Sequence, residues 1–255
     1  MNAVKNPGEV VQAASGAEGE APPMRIRPAG RQLMTLPEQI AERIFAAIAN
    51  GEYLPGERIR EEMLAEQFEV SRGPVREALR ILEKDSVVRI LPNRGAHVTQ
   101  LSIKEVGDIF EIRRDLVGAT VRRMGDRNSA LIAGLEAEVR ELETLAKEPG
   151  AGDAYLEASF HLGRVLADSS GNERLAEILG SLVRQTRRYS MLGLATVARR
   201  KESARIWRAM LESLKAGDPN GAAAAVESLI DSSRQEAVRR LQAQGRADDD
   251  GPLGR

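Results

Sequence analysis

The chain of 255 residues contains no cysteine. That absence excludes disulfides, thiolate metal sites, iron–sulfur clusters and cysteine nucleophiles together. Histidine occurs only at His97 and His161, so a three-histidine zinc site within one chain is impossible. Aromatic residues make up 3% of the chain. A core must then be filled mostly by Leu, Ile, Val and Ala, which favours helices. No apolar run approaches the roughly eighteen residues of a membrane span. The N-terminus lacks a basic start followed by an apolar stretch, so no secretory signal is expected. The expectation is a soluble cytoplasmic protein with no membrane partner. The net charge is −1, so any affinity for nucleic acid must come from a local patch.

What is present is punctuated helical pattern. Residues 1–34 are rich in Gly, Pro, Ala, Ser and Glu and read as a disordered tail. Its end carries Arg25, Arg27 and Arg31, either simply solvated or an arm that touches a polyanion. Across 35–101 the spacing predicts helices over 36–50, 61–68 and 72–84. Ser71 is placed to cap the third, and Pro74 is tolerable in its first turn. Tyr53-Leu54-Pro55-Gly56 reads as a turn. Two short strands, 87–91 and 96–101, flank the hairpin tip Pro92-Asn93-Arg94-Gly95. Residues 102–242 read as six helices with short connections, at 102–126, 128–147, 152–169, 172–192, 199–216 and 219–242. That pattern implies an antiparallel bundle. Residues 243–255 read as a second, frayed tail. The fold class is mainly α: a helix-turn-helix (about 61–80) with a β-hairpin wing, then the bundle.

The third helix carries the first candidate site. Val75, Leu79 and Leu82 fall on one face, and Arg72, Arg76 and Arg80 recur four apart on another. Such a helix can bury one side and present guanidinium groups suited to guanine edges or phosphates on the other. Between Ser71 and Val98 six cations face three acids, while 52–70 is acidic. This argues for an oriented basic surface, although a solvated Arg face would show the same spacing. Arg94 and Gly95 at the hairpin tip could lie along an adjacent groove. His97, with no second partner nearby in sequence, reads as structural or phosphate-facing rather than catalytic.

In the bundle, Arg113 falls within the apolar stripe of Val106, Phe110, Val117, Thr120, Val121 and Met124. A charge on a buried face must be paired. It is either an internal salt bridge or an anchor for an anionic ligand such as a carboxylate. Glu157 and His161, at i and i+4, can face one point. They could hydrogen-bond along an apolar cavity, with Trp207 as a wall or as core. Alone they are weak evidence for acid–base catalysis. No Ser/His/Asp arrangement, phosphate loop or dinucleotide motif is present.

The run Leu64-Ala65-Glu66-Gln67-Phe68-Glu69-Val70-Ser71-Arg72-Gly73-Pro74-Val75-Arg76-Glu77-Ala78-Leu79-Arg80-Ile81-Leu82-Glu83 resembles the winged helix-turn-helix of GntR-type bacterial transcription regulators. Leu54-Pro55-Gly56-Glu57 upstream and Arg94-Gly95-Ala96-His97-Val98 downstream continue the likeness. The resemblance implies that Arg72 and Arg76 contact bases or phosphates and that the Gly95 tip enters the minor groove. Ser71, Gly73, Arg80 and Arg94 complete the expected DNA-binding set. Ser86 stands where the family usually has Gly, and Gly73 where Thr or Ser is common.

The bundle resembles the FCD effector domain of the FadR-like branch. Glu111 to Leu116, Phe160-His161 leading to Ser170-Gly171-Asn172, and Trp207 through Gly217-Asp218 carry this likeness. It implies an effector pocket, placed at Arg113, Glu157, His161 and Trp207, and a homodimer on inverted-repeat DNA. In that family an Asp–His pair joins two further His around a divalent metal. Here the pair is Glu157 and His161, and the further positions fall on Trp207 and Leu229, so the metal site is expected to be lost. The leading expectation is a repressor controlled by a small organic acid. The alternatives are an enzyme with an accessory DNA-binding head, and a constitutive DNA-binding protein with an empty pocket.

Overall fold

A computed structural model of the chain describes residues 34–124 and 129–249, with side chains described for 34–124 and 131–243. The expected N-terminal tail up to residue 33, with Arg25, Arg27 and Arg31, lies outside the described residues.

The first helix, α1 (Leu36–Ala49), begins at a capping box in which Thr35 and Glu38 satisfy each other's backbone N–H groups. It ends at Gly51, whose φ of +83° an L side chain rarely adopts. The Leu54–Glu57 turn has Pro55 in second place and Gly56 (φ +81°) in third, closed by a 3.0 Å bond from Glu57 N–H to Leu54 C=O. Strand β1 (Arg58–Ile59) follows, then α2 (Glu61–Gln67), α3 (Arg72–Lys84), β2 (Val88–Leu91) and β3 (Gly95–Val98). The sheet order is β1-β3-β2, antiparallel throughout, with Ile59 opposite Ala96 and Leu91 opposite Gly95. Sequence spacing did not predict β1, because two residues carry no alternation. Its Ile59 is buried in a core shared with Ile40, Ile44, Leu79 and Leu82.

The remaining described elements are helices: α4 (Ile103–Arg123), α5 (Ser129–Leu145), α6 (Gly152–Ser169), α7 (Glu173–Gly193), α8 (Val197–Ala216) and α9 (Pro219–Asp249). A second capping box, Ser102 with Glu105, starts α4. Leu135, Leu142, Tyr155, Leu162, Leu166 and Met210 fill the bundle core. The helix α9 continues past residue 242, where a frayed tail was expected, as far as Asp249. Gly245 alone does not stop it, since one helical glycine costs only about 1 kcal/mol and no proline follows before Pro252; residues 250–255 lie outside the described set. Among the described residues no helix is long and apolar enough to cross a membrane.

Candidate functional site

The helix α3 buries Val75, Ala78, Leu79 and Leu82 and leaves Arg72, Arg76 and Arg80 exposed. The two leading arginines are not unpartnered. Arg72 Nη2 lies 2.9 Å from Glu62 Oε1, and Arg76 Nε donates to Glu61 Oε2 at 2.7 Å. The acidic stretch seen in the sequence therefore sits beside the exposed arginines of α3. Exposed pairs of this kind are worth about 0–1 kcal/mol, so a polyanion can displace the carboxylates. Ser71 takes the N-cap backbone position, but its hydroxyl makes no capping bond. The expected side-chain cap is absent, and the exposed hydroxyl remains available to another acceptor or donor.

A cleft beside α3 is lined by Arg58, Arg60, Glu61, Glu62, Arg72 and Gly95. Sequence reasoning missed Arg58, which opens the unrecognised β1, and Arg60, which follows it; their signal was the Arg-Ile-Arg run before α2. Gly95 has φ +82° and Asn93 φ +60°, so the tip turns in the left-handed region. Arg94 is exposed there. His97 contributes Nδ1 to a 3.1 Å bond with the Gly56 carbonyl, which ties β3 to the turn before β1.

The second site is a cavity of about 870 Å³ among α1, α4, α6, α7, α8 and α9. Arg113 reaches it from α4, 7% exposed. Its Nη1 donates to Thr186 Oγ1 at 2.7 Å and to Ser190 Oγ at 3.4 Å, both on α7. Its Nε has no hydrogen-bond partner. Among the described residues no carboxylate pairs with it, so the internal salt bridge is not found there. Burial pushes its pKa down to about 10. At neutral pH it is therefore a buried cation without a counter-ion among the described residues. Its plane lies near the Phe110 ring, 4.9 Å from the centroid.

Trp207 is both core and wall: it is buried, lines the cavity and donates Nε1–H to Ser159 Oγ at 3.3 Å. Glu157 and His161 do not hydrogen-bond to each other. Glu157 pairs with Arg187 of α7 at the cavity. His161 turns away to Glu138 of α5 (3.3 Å) and Arg164 (3.1 Å), and does not line the cavity. Their shared spacing puts them on one side of α6, but each is drawn to a different neighbouring helix. Among the described residues no group of three or more His, Asp or Glu gathers to hold a metal. Trp207 and Leu229 are apolar walls, and with Glu157 engaged by Arg187 the residues present do not fit a divalent ion.

Sequence reasoning also missed Arg184 and Arg187. They lie three apart on α7, a spacing that puts both on one side. Arg184 pairs with Glu42 of α1 (2.7 Å) and with Asp85, the C-cap of α3 (3.0 Å). Its guanidinium lies 4.4 Å from the Phe45 ring centroid. Arg187 lies between the Phe45 and Phe160 rings, at 5.6 and 4.9 Å, and burial lowers its pKa.

Comparison with known proteins follows the same division. Residues 36–98 match the bacterial regulatory proteins of the gntR family, and residues 108–232 match the FCD domain. The chain is 36% identical over 145 residues to the uncharacterised HTH-type transcriptional regulator YdhC of Bacillus subtilis, covering 55% of this chain and 63% of that one. It is 30% identical over 125 residues to the gluconate operon transcriptional repressor of Bacillus licheniformis, covering 48% of this chain and 51% of that one. The matches thus span under two thirds of either relative. The structure of E. coli McbR/YncC superposes with a TM-score of 0.72 at 19% identity, over 82% of this chain and all of the other, a likeness of fold. The matched families are those of transcription regulators, not of enzymes.

Proposed function

This chain belongs to the GntR family of bacterial transcription regulators and carries an FCD effector domain, and from that premise we propose that it is a repressor whose operator affinity is set by a small carboxylate. In this reading residues 35–101 read DNA and residues 102–242 bind the effector and dimerise. The family's regulators bind DNA and small-molecule effectors and often dimerise. One head contacts only a few base pairs, so a two-fold dimer on an inverted repeat supplies the specificity a genome requires. Arg72, Arg76 and Arg80 face the groove, Ser71 and Gly73 approach the backbone at the start of α3, and Arg94 and Gly95 enter from the wing. Repression is supported by the name of the gluconate operon relative. The site of action is the cytoplasm, where the chromosome lies.

The observation that carries the effector reading is the buried guanidinium of Arg113, which has no counter-ion among the described residues and faces a cavity. A bound carboxylate would supply that counter-ion with charge-assisted hydrogen bonds. To shift DNA affinity, the acid must bind the DNA-competent and incompetent arrangements unequally. Footprinting on the DNA upstream of the protein's own gene, with and without organic acids, tests this. A protected inverted repeat whose protection changes with an acid, and only when Arg113 is intact, is expected. No protection at low ionic strength removes the DNA reading, and protection indifferent to every acid removes the effector reading.

A further inference from the structure

The cavity does not belong to the bundle alone. Phe45, Ala46 and Ala49 of α1 line it, and α1 is part of the DNA-reading head. Helix α7 joins the two sides. Thr186 and Ser190 hold Arg113, while Arg184 and Arg187 lie against the Phe45 ring. In a chain with one Trp and four Phe, that Trp and three of the Phe (Phe45, Phe110, Phe160) line this one cavity. The cavity that the anion anchor faces is thus lined by several aromatic side chains, one of them carried by the head.

We propose that the DNA-reading head is itself a wall of the effector site: an acid anchored on Arg113 lays an apolar, ring-bearing body against Phe45 and Ala46. This rests on the effector reading above and adds the ligand's body and the head's direct part in binding it. Ring-on-ring contact favours such a body beyond the area it buries. Ala46 is exposed on α1 and lines the cavity, so it marks the mouth. A ligand touching Phe45 touches the residue on which Arg184 rests, and Arg184 also grips Glu42 and the C-cap of the reading helix. Effector and DNA are then coupled through one shared contact, with reciprocal effects on each other's affinity.

The test uses the full chain and three probes: acetate, phenylacetate and 4-phenylbutyrate. Calorimetry measures affinity, and emission of Trp207, the sole tryptophan, reports cavity occupancy. The expected result is that 4-phenylbutyrate binds about tenfold or more tighter than acetate, as burial of a phenyl ring requires. Ala46→Glu changes an exposed position to another good helix former, so the head keeps its fold, confirmed by circular dichroism. It should weaken 4-phenylbutyrate by about fivefold or more, because a second carboxylate meets the apolar body. Phe45→Leu keeps the head's core apolar and should erase most of the preference for ring-bearing acids. Arg113→Gln should weaken all the acids alike. If Arg113→Gln abolishes binding while Ala46→Glu and Phe45→Leu change nothing, or if acetate binds as tightly as the aryl acids, the head is not a wall and this inference falls alone. If no acid binds, or Arg113→Gln makes no difference, the effector reading falls and takes the inference with it.

Discussion

Arg113 and Thr186 are joined by a 2.7 Å hydrogen bond between α4 and α7, and that hydroxyl is not a counter-ion. Both hydroxyls around the guanidinium keep backbone acceptors of their own: Thr186 donates to Leu182 C=O and Ser190 to Thr186 C=O. Replacing Arg113 therefore leaves no new unsatisfied donor. Because an uncompensated buried charge is unfavourable, Arg113→Met should stabilise the acid-free protein by about 1–3 kcal/mol. Thermal melts without added acid check the sign. A large loss of stability instead would show that Arg113 is a structural strut rather than an anion anchor.

On the exposed face of α3 the arginines already have partners. Arg72→Ala and Arg76→Ala should each weaken specific DNA binding by about 1–3 kcal/mol if they read base edges. Equal loss on random DNA assigns them to phosphates, with the salt slope falling by about one per residue. Since Glu62 competes for Arg72 at 2.9 Å, Glu62→Gln should strengthen binding by up to about 1 kcal/mol. Mobility-shift titrations at two salt concentrations read both effects.

The sequence made this head legible because each signal was local: Leu79 and Leu82 against Arg76 and Arg80, Pro55-Gly56 in a turn, Gly95 at the tip. The cavity was legible at Arg113, Glu157 and Trp207, and not at His161, which faces elsewhere. Arg184, Arg187 and Phe45 could not be assigned because their meeting depends on how α1 packs on α7, which no spacing encodes. Glu157 and His161 show the converse. Their i,i+4 relation was read correctly, yet neighbouring helices drew them to different partners.

Ser86 joins the two kinds of information. Its departure from the usual glycine was visible in sequence, and the structure supplies the physical reason for that glycine: φ is +58°. An L residue there costs about 1–2 kcal/mol. The Ser86 side chain is exposed and forms no part of the core. Ser86→Gly should therefore raise stability by about 1 kcal/mol, offset slightly by the larger chain entropy of glycine. Ser86→Val should lower it. Chemical denaturation midpoints at constant m-value measure both.

Acid should loosen the packing of α5 on α8. Arg208 bonds Glu136 and Glu143, each at 2.7 Å, and Lys215 adds a further bond to Glu136. The Lys215 ammonium, then the Arg208 guanidinium, hold the Glu136 carboxyl down to about 2, and Arg208 lowers Glu143 as well. Both groups have folded pKa values below their unfolded ones. Their contribution is fully present above the ordinary value of 4.5 and is lost as pH falls from there towards 2. Glu136→Gln should lower the melting temperature at pH 7 and differ progressively less from the unsubstituted protein below pH about 4. A constant gap across that range would mean that Glu136 acts through packing and not through its charge.

Two glycines separate close helix approach from helix propensity. At Gly193, near the end of α7, an added Cβ would lie 3.0 Å from the Ser233 carbonyl oxygen and 3.3 Å from its Cα, both rigid backbone of α9. At Gly134 in α5 the same Cβ would meet nothing within 4 Å. Alanine at Gly134 should therefore stabilise by about 0.5–1 kcal/mol, the helix-interior difference between the two residues. Alanine at Gly193 must push α7 and α9 apart and should destabilise by about 1–3 kcal/mol. Because α7 also carries Thr186 and Ser190, the displaced helix should weaken 4-phenylbutyrate binding, whereas Gly134→Ala should leave it unchanged. Paired melts and acid titrations on the two variants measure this. Equal behaviour of the two would mean that α7 and α9 slide freely enough to absorb a methyl group, and the hydroxyls that orient Arg113 would then not be fixed by that contact.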